Sequence, residues 1–123
     1  MPASPTQRTM QFFHKLEWEI WPAEYWCKFS NKRRDLGGFI DLVLLHEQRK
    51  LHVGLQVTTY SNVAARVKKI KTQRRRQARK WIYTGGAVQV WGWKEYPDRA
   101  DDGPFKGCRW RPRIVEITGK DLM

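Results

Sequence analysis

The middle third of this chain contains no acid. Between Gln48 and Lys94 there is not one Asp or Glu, yet 12 of the 24 Lys and Arg residues fall there. The other 12 basic residues and all 12 acids lie outside that segment, so the net charge of +12 arises within it. A helix face that is merely solvated usually carries both signs, because like charges alone repel one another. The one-sided run therefore favours a polyanionic partner, held by phosphate contacts whose strength falls as salt rises. An anionic membrane surface fits less well, since the basic run has no broad apolar face with Trp or Phe to insert. Cysteine is also scarce. Cys27 and Cys108 are far apart and lack metal-ligand spacing, which excludes a disulfide framework and a thiolate zinc site and points to reduced thiols in a cytosolic protein. The three histidines, His14, His46 and His52, form no paired motif. No apolar run is long enough to span a bilayer and the sequence shows no secretory signal, so a cytoplasmic protein with no membrane partner is expected.

What is present is the material of one domain. A chain of 123 residues with seven Trp can bury a sizeable core. Residues 1–6 read as a flexible polar leader and 1–123 as a single domain. Ser4 or Thr6 is placed to cap a first helix, in which Met10, Phe13, Leu16 or Glu17, and Ile20 recur at helical spacing until Trp21-Pro22 ends it. Glu24 to Phe29 alternates weakly, as a strand does, and Ser30 to Gly38 is a polar loop ending in two glycines. Phe39 to Leu45 is apolar on both faces except at Asp41, the pattern of a central strand. A tight turn leads to Leu51–Thr58, where Leu51, Val53, Leu55 and Val57 alternate with His52, Gly54, Gln56 and Thr58; the two strands form a hairpin. Val63, Val67 and Ile70 mark one buried stripe of a basic helix capped by Ser61 or Asn62, and Gln73–Tyr83 continues it or forms a second helix with Ala78, Trp81 and Ile82 inward. Gly85-Gly86 stops the helix, Ala87–Trp93 is a strand, and Cys108–Thr118 is a last strand at a sheet edge, where Pro112 is tolerated. The order α-β-β-β-α-β-β predicts an α/β domain with a mixed central sheet.

Asp41 is the residue that asks for chemistry. A carboxylate inside an apolar strand is costly unless paired, hydrogen-bonded or metal-bound. It either caps the Gly37-Gly38 turn or pairs with Arg33 or Arg34, or it serves a site. The hairpin brings it to the end of the next strand, where Gln56 and Thr58 share a face. Asp41, Gln56 and the Val57 carbonyl then converge on one point, a set of oxygens suited to Mg²⁺ or Mn²⁺.

An Asp on one strand, then Gln-x-Thr at the end of the next, then a helix, resembles the PD-(D/E)XK nuclease superfamily. "GGFID" with Asp41 stands for its first part, and Gln56 and Thr58 stand where (Glu/Gln)-x-Lys is expected. Within the superfamily the chain is most similar to small archaeal-type Holliday junction resolvases and to the VRR-NUC type nucleases of phages, over roughly Gln7 to Tyr96. The resemblance implies an αβββαβ restriction-endonuclease-like core and a metal-dependent DNA endonuclease acting on branched or duplex DNA. It also implies a homodimer, and the cytoplasm of a host cell if the protein is viral. It implies a metal held by Asp41, Gln56, Val57 and a carboxylate from the first helix, Glu17 before Glu19, with Gln11 as an uncharged substitute. The motif lysine is Thr58 here, so its cation is expected from the following helix, from Arg66, Lys68 or Lys69, with Lys68 assigned. DNA contacts are expected from Ser30, Arg33, Arg34, Arg66, Lys68, Lys69, Lys71, Arg74, Arg75, Arg76, Arg79 and Lys80. The uncharged Gln56 and Thr58 keep open a second reading, a nuclease fold that binds DNA and has lost its chemistry. A third, a basic RNA-associated protein with a structural Asp41, is weaker.

Overall fold

A computed structural model describes residues 3–123, apart from the side chain of Tyr25. The chain is an α/β protein built on a mixed five-stranded sheet with helices on both faces. Helix α1, Pro5–Lys15, starts at a reciprocal cap: Ser4 Oγ accepts from the Gln7 amide at 3.2 Å and Gln7 Oε1 accepts from the Ser4 amide at 3.0 Å, with Pro5 in the first turn. Ser4 to Thr6 thus begin the helix and are not a flexible leader; Met1 and Pro2 lie outside the described residues. The helix also ends earlier than its periodicity suggests. Glu17 takes the left-handed conformation, with φ of 62°, and the chain turns out of the helix there. Ile20 then enters β1, Ile20–Pro22, because this short stretch finds backbone partners along the sheet edge, where Pro22 is tolerated.

The predicted strand over Glu24–Phe29 shrinks to β2, Tyr25–Cys27. It pairs with β3, Lys32–Arg34, which lies inside the segment expected to be loop, and the two form a hairpin outside the main sheet. The expected hairpin forms from β4, Leu42–His46, which starts three residues later than predicted and leaves Asp41 just before it, and β5, Leu51–Thr59, with Leu42 opposite Leu55 and Leu44 opposite Val53. After a short 3₁₀ turn come α2, Val63–Thr72, and a separate α3, Arg75–Tyr83, so the basic run is two helices. Strand β6, Ala87–Glu95, lies parallel to β5, and β7, Trp110–Ile117, closes the sheet antiparallel to β6 at the predicted edge. The sheet order is β1-β4-β5-β6-β7. Among the described residues no helix is long and apolar enough to cross a membrane.

Alternation along β5 assigns the two faces. Val53, Leu55 and Val57 join Phe13, Ile20, Leu42, Leu44 and Trp91 in the core under α1. Gly54, Gln56 and Thr58 face the other way, toward the core of Ile40, Val63, Ile70, Ala78 and Val88 under α2 and α3. Each fully buried Leu or Ile side chain contributes about 1.5–3 kcal/mol. The first core also contains a buried hydrogen bond, from Trp93 Nε1 to Thr9 Oγ1 at 2.8 Å, which ties α1 to β6.

Gly92 permits the step that matters for the site. A Cβ there would collide with a methyl of Val63 and stand 2.9 Å from the Thr59 carbonyl oxygen. Only a bare backbone lets the chain leave β5 at Thr59, cross β6 and begin α2 at once. Gly92→Ala is therefore expected to destabilise the fold by about 1–3 kcal/mol, the usual cost of overpacking a close contact. Urea unfolding checks this, and an unchanged midpoint would refute the close approach.

Candidate metal centre

Asp41 immediately precedes β4 and is fixed in the sheet by its own backbone. Its N–H donates to the Leu55 carbonyl at 2.8 Å, and its carbonyl accepts from the Ala23 amide at 2.9 Å. The side chain points to the α2/α3 face, where Oδ2 accepts from the Val57 amide at 2.9 Å and from Gln56 Nε2 at 3.0 Å. Asp41 and Gln56 thus meet, through the Gln56 NH₂ and not through the three converging oxygens expected. Val57 reaches Asp41 through its N–H, and its carbonyl faces the same neighbouring strand, since both groups of a strand residue point to one side. Thr58 is buried on the face that carries Gln56.

Gln56 is only 3% exposed, and its Oε1 has no hydrogen-bond partner. A buried amide oxygen without a donor costs about 1–3 kcal/mol, and this one belongs to the amide whose NH₂ holds Asp41. Asp41 has two further carboxylates for neighbours. Oxygen atoms of Glu24, Asp35 and Asp41 lie within 4.8 Å of one another. Burial, before anything else, pushes the Asp41 carboxyl up to about 7, the adjacent Asp35 carboxyl pushes in the same direction, and the Val57 and Gln56 donors offset this only in part.

Two turns bring these acids together. Gly37 and Gly38 adopt φ of 64° and 81°, and Leu36 bridges back to Ile40 through backbone hydrogen bonds of 3.1 and 3.0 Å, so the chain reverses and Asp35 returns beside Asp41. Glu24 follows Ala23, whose amide is bonded to Asp41. Neither acid was singled out in the sequence, although the Gly-Gly pair between Asp35 and Asp41 is a signal for such a reversal. Three carboxylates and a neutral amide oxygen are the donor types a hard divalent cation takes, and the arrangement also fits a proton shared between Asp35 and Asp41 when no cation is bound.

Several expected residues lie elsewhere. Glu17 is exposed beside Leu45, Glu47 and Gln48 at the turn end of the β4–β5 hairpin, about 20 Å from Asp41 at 3.3 Å per residue. It reaches this position because α1 stops short, and it cannot be a ligand. Glu19 is held at the same end, its carbonyl accepting from Leu45, and Gln11 lines a groove on the α1 face with Phe12 and Trp110. Lys68 points to the β7 side of α2, in a groove with Lys71 and Arg113, so it does not face the acids. Its neighbour Lys69 stands on the side of Asp35. Lys69, Arg74, Lys32, Arg33 and Arg34 line a groove of about 530 Å³ that has Asp35 in its wall. Arg74 runs so close to the Gly37-Gly38 turn that a Cβ on Gly38 would come within 2.6 Å of its guanidinium, and its buried Nε has no partner. Ser30 lies in the β2–β3 turn and accepts from Arg34 Nε at 3.2 Å. Lys71 pairs with Asp121 at 3.9 Å. Arg66, Arg75, Arg76, Arg79 and Lys80 are carried by α2 and α3 and do not line the groove beside Asp35.

No protein-family model, curated protein or solved structure matches this chain. The site is therefore read from its own geometry.

The raised Asp41 carboxyl makes stability depend on pH. Between the ordinary carboxylate range and about 7 the folded chain holds a proton that the unfolded chain has released, so this group weakens the fold as pH rises through that window. In chelator, the melting temperature of Asp41→Asn minus that of the wild type should grow between pH 5 and pH 8. Added Mg²⁺ or Mn²⁺ at pH 8 should raise the wild type and leave Asp41→Asn unmoved. A difference that stays flat with pH would contradict a buried, proton-binding Asp41.

Proposed function

We propose that this chain is a divalent-metal-dependent DNA endonuclease of PD-(D/E)XK type, acting on phosphodiesters of branched or duplex DNA. The observation that carries the reading is the buried Asp41–Gln56 hydrogen bond, in which Asp41 belongs to a cluster of three carboxylates beside a basic groove. Clustered carboxylates repel a phosphate, and the adjoining cations attract one. Both features in one place make sense where a metal ion joins acids to phosphate.

Asp41, Asp35 and Glu24 would hold the cation, with Gln56 Oε1 as a neutral ligand. When bound, the ion supplies Lewis-acid polarisation of a phosphoryl oxygen and a water of lowered pKa. The chain's own residues do the positioning. Val57 N–H and Gln56 Nε2 hold Asp41 Oδ2 in one orientation. Lys69 and Arg74 neutralise the phosphate backbone, and Lys69 takes the place of the lysine that Thr58 lacks. Lys32, Arg33, Arg34 and the exposed cations of α3 extend the contact along the backbone without reading bases, as structure selection requires. The assembly proposed for such an enzyme is a homodimer, because two strands of a junction are cut symmetrically.

A cleavage panel on four-way junctions, linear duplex and single strands tests the activity. With Mg²⁺ or Mn²⁺ the wild type should cut. Asp41→Asn should lose at least about a hundredfold, since even outer partners of a bound metal are worth about 10- to 100-fold. Lys69→Ala should lower the salt dependence of binding by about one phosphate contact. Salt-dependent binding with no cleavage under any metal would identify instead the catalytically silent DNA-binding protein that the uncharged Gln56 and Thr58 also allow.

A further inference from the structure

The β2–β3 hairpin is not part of the sheet, and its two ends are acids of the candidate centre. Glu24 precedes it, Asp35 follows it, and both meet Asp41. Its ten residues, Tyr25 to Arg34, hold Lys28, Lys32, Arg33 and Arg34, three aromatic residues and no acid. The strands pair Trp26 with Arg33 and Cys27 with Lys32, and Arg34 Nε binds Ser30 Oγ within the turn. At the tip Phe29 is 102% exposed, and Trp26 on the flank is 57% exposed. Neither belongs to either hydrophobic core. A single exposed apolar residue needs no account. A fully exposed Phe with a Trp beside it, on a cationic ribbon rooted in a cluster of carboxylates, does. The cations select a polyanion, and the aromatic tip has a π-face that stacks on bases and can part them.

We propose that this hairpin is a wedge. Its cations hold the nucleic-acid backbone while Phe29, flanked by Trp26, enters between bases at a fixed distance from the acid cluster. Four residues separate Glu24 from Phe29, three of them in β2 and the last in the turn, so the tip stands roughly 10–13 Å from the cluster. That is about three to four base steps at 3.4 Å. Parting stacked bases is unfavourable in an intact duplex and nearly free where a junction or mismatch has already unstacked them. The wedge would therefore select branched over intact duplex DNA by about tenfold, the worth of one average stacking step. The inference rests on the proposed DNA-binding reading but not on cleavage.

The test uses the full chain in chelator, so that nothing is cut. Four-way junctions and matched duplexes carry 2-aminopurine at successive positions, and both affinity and fluorescence are measured across a salt series. The wild type should brighten the probe at one or two positions of the junction and bind junction about tenfold more tightly than duplex. Phe29→Ala should keep its salt slope, lose the brightening and lose most of the preference; Phe29→Leu should restore part of both. Lys32→Ala should lower the slope by about one contact and keep the brightening of each bound complex. If the wild type binds and Phe29→Ala behaves identically, the wedge is wrong while DNA binding stands. If the wild type binds no DNA, both readings fall. If Phe29→Ala instead loses only binding to phosphatidylserine vesicles, the tip is a membrane anchor and the proposal is overturned.

Discussion

The hydrogen bonds that Asp41 Oδ2 accepts from the Val57 amide and the Gln56 side chain fix the geometry of everything around them. They exist only in one register of the β4–β5 hairpin. A slip of one residue would turn Asp41 into the apolar core beneath α1 and bring Leu42 or Ile40 to the site. The register is secured by burial on both faces, with Leu42, Leu44, Val53 and Leu55 on one side and Gly54 against Ile40 and Trp81 on the other. The core therefore positions the carboxylate, and removing the carboxylate should leave the core intact.

Charge is arranged around that carboxylate in an unusual way for a chain with a net +12. Cations elsewhere are occupied: Arg49 binds Glu116 through both terminal nitrogens, Arg111 reaches Asp98, and Lys71 reaches Asp121. Among the described residues neither Asp35 nor Asp41 forms an ion pair. An ion pair would have drawn the Asp41 carboxyl down, and instead burial and a second carboxyl push it up to about 7. The site is thus poised to take a cation or a proton, with Lys69 and Arg74 in the adjoining groove and Arg33 reaching Glu24 at 3.6 Å.

Much of this was legible in residue order because it depends on local periodicity. The period-2 pattern of Leu51–Thr58 gave the hairpin and the shared face of Gln56 and Thr58. Val63, Val67 and Ile70 gave the buried stripe of α2, and Pro112 marked an edge. What was not legible depends on how the chain turns between elements. Helical spacing from Met10 to Ile20 continues through Glu17, and only its left-handed φ ends the helix and carries Glu17 to the wrong end of the sheet. Glu24 and Asp35 join the site through the pairing of β1 and the Gly37-Gly38 reversal, both non-local. Lys68 and Lys69 differ by one position, about 100° around a helix, and spacing alone cannot say which faces the acids.

The neutral residue at position 56 has a structural role of its own. A carboxylate there could not donate to Asp41. It would add a fourth negative charge to a cluster in which one carboxyl is already protonated at mild acidity. The amide does two things a carboxylate cannot: its NH₂ stabilises ionised Asp41, and its Oε1 stays free as an acceptor. Negative charge absent from β5 is present in Glu24 and Asp35, which come from either end of the β2–β3 hairpin. A motif counted along one strand therefore underestimates the charge at the site, because the fold gathers it from three segments that are not adjacent in the chain.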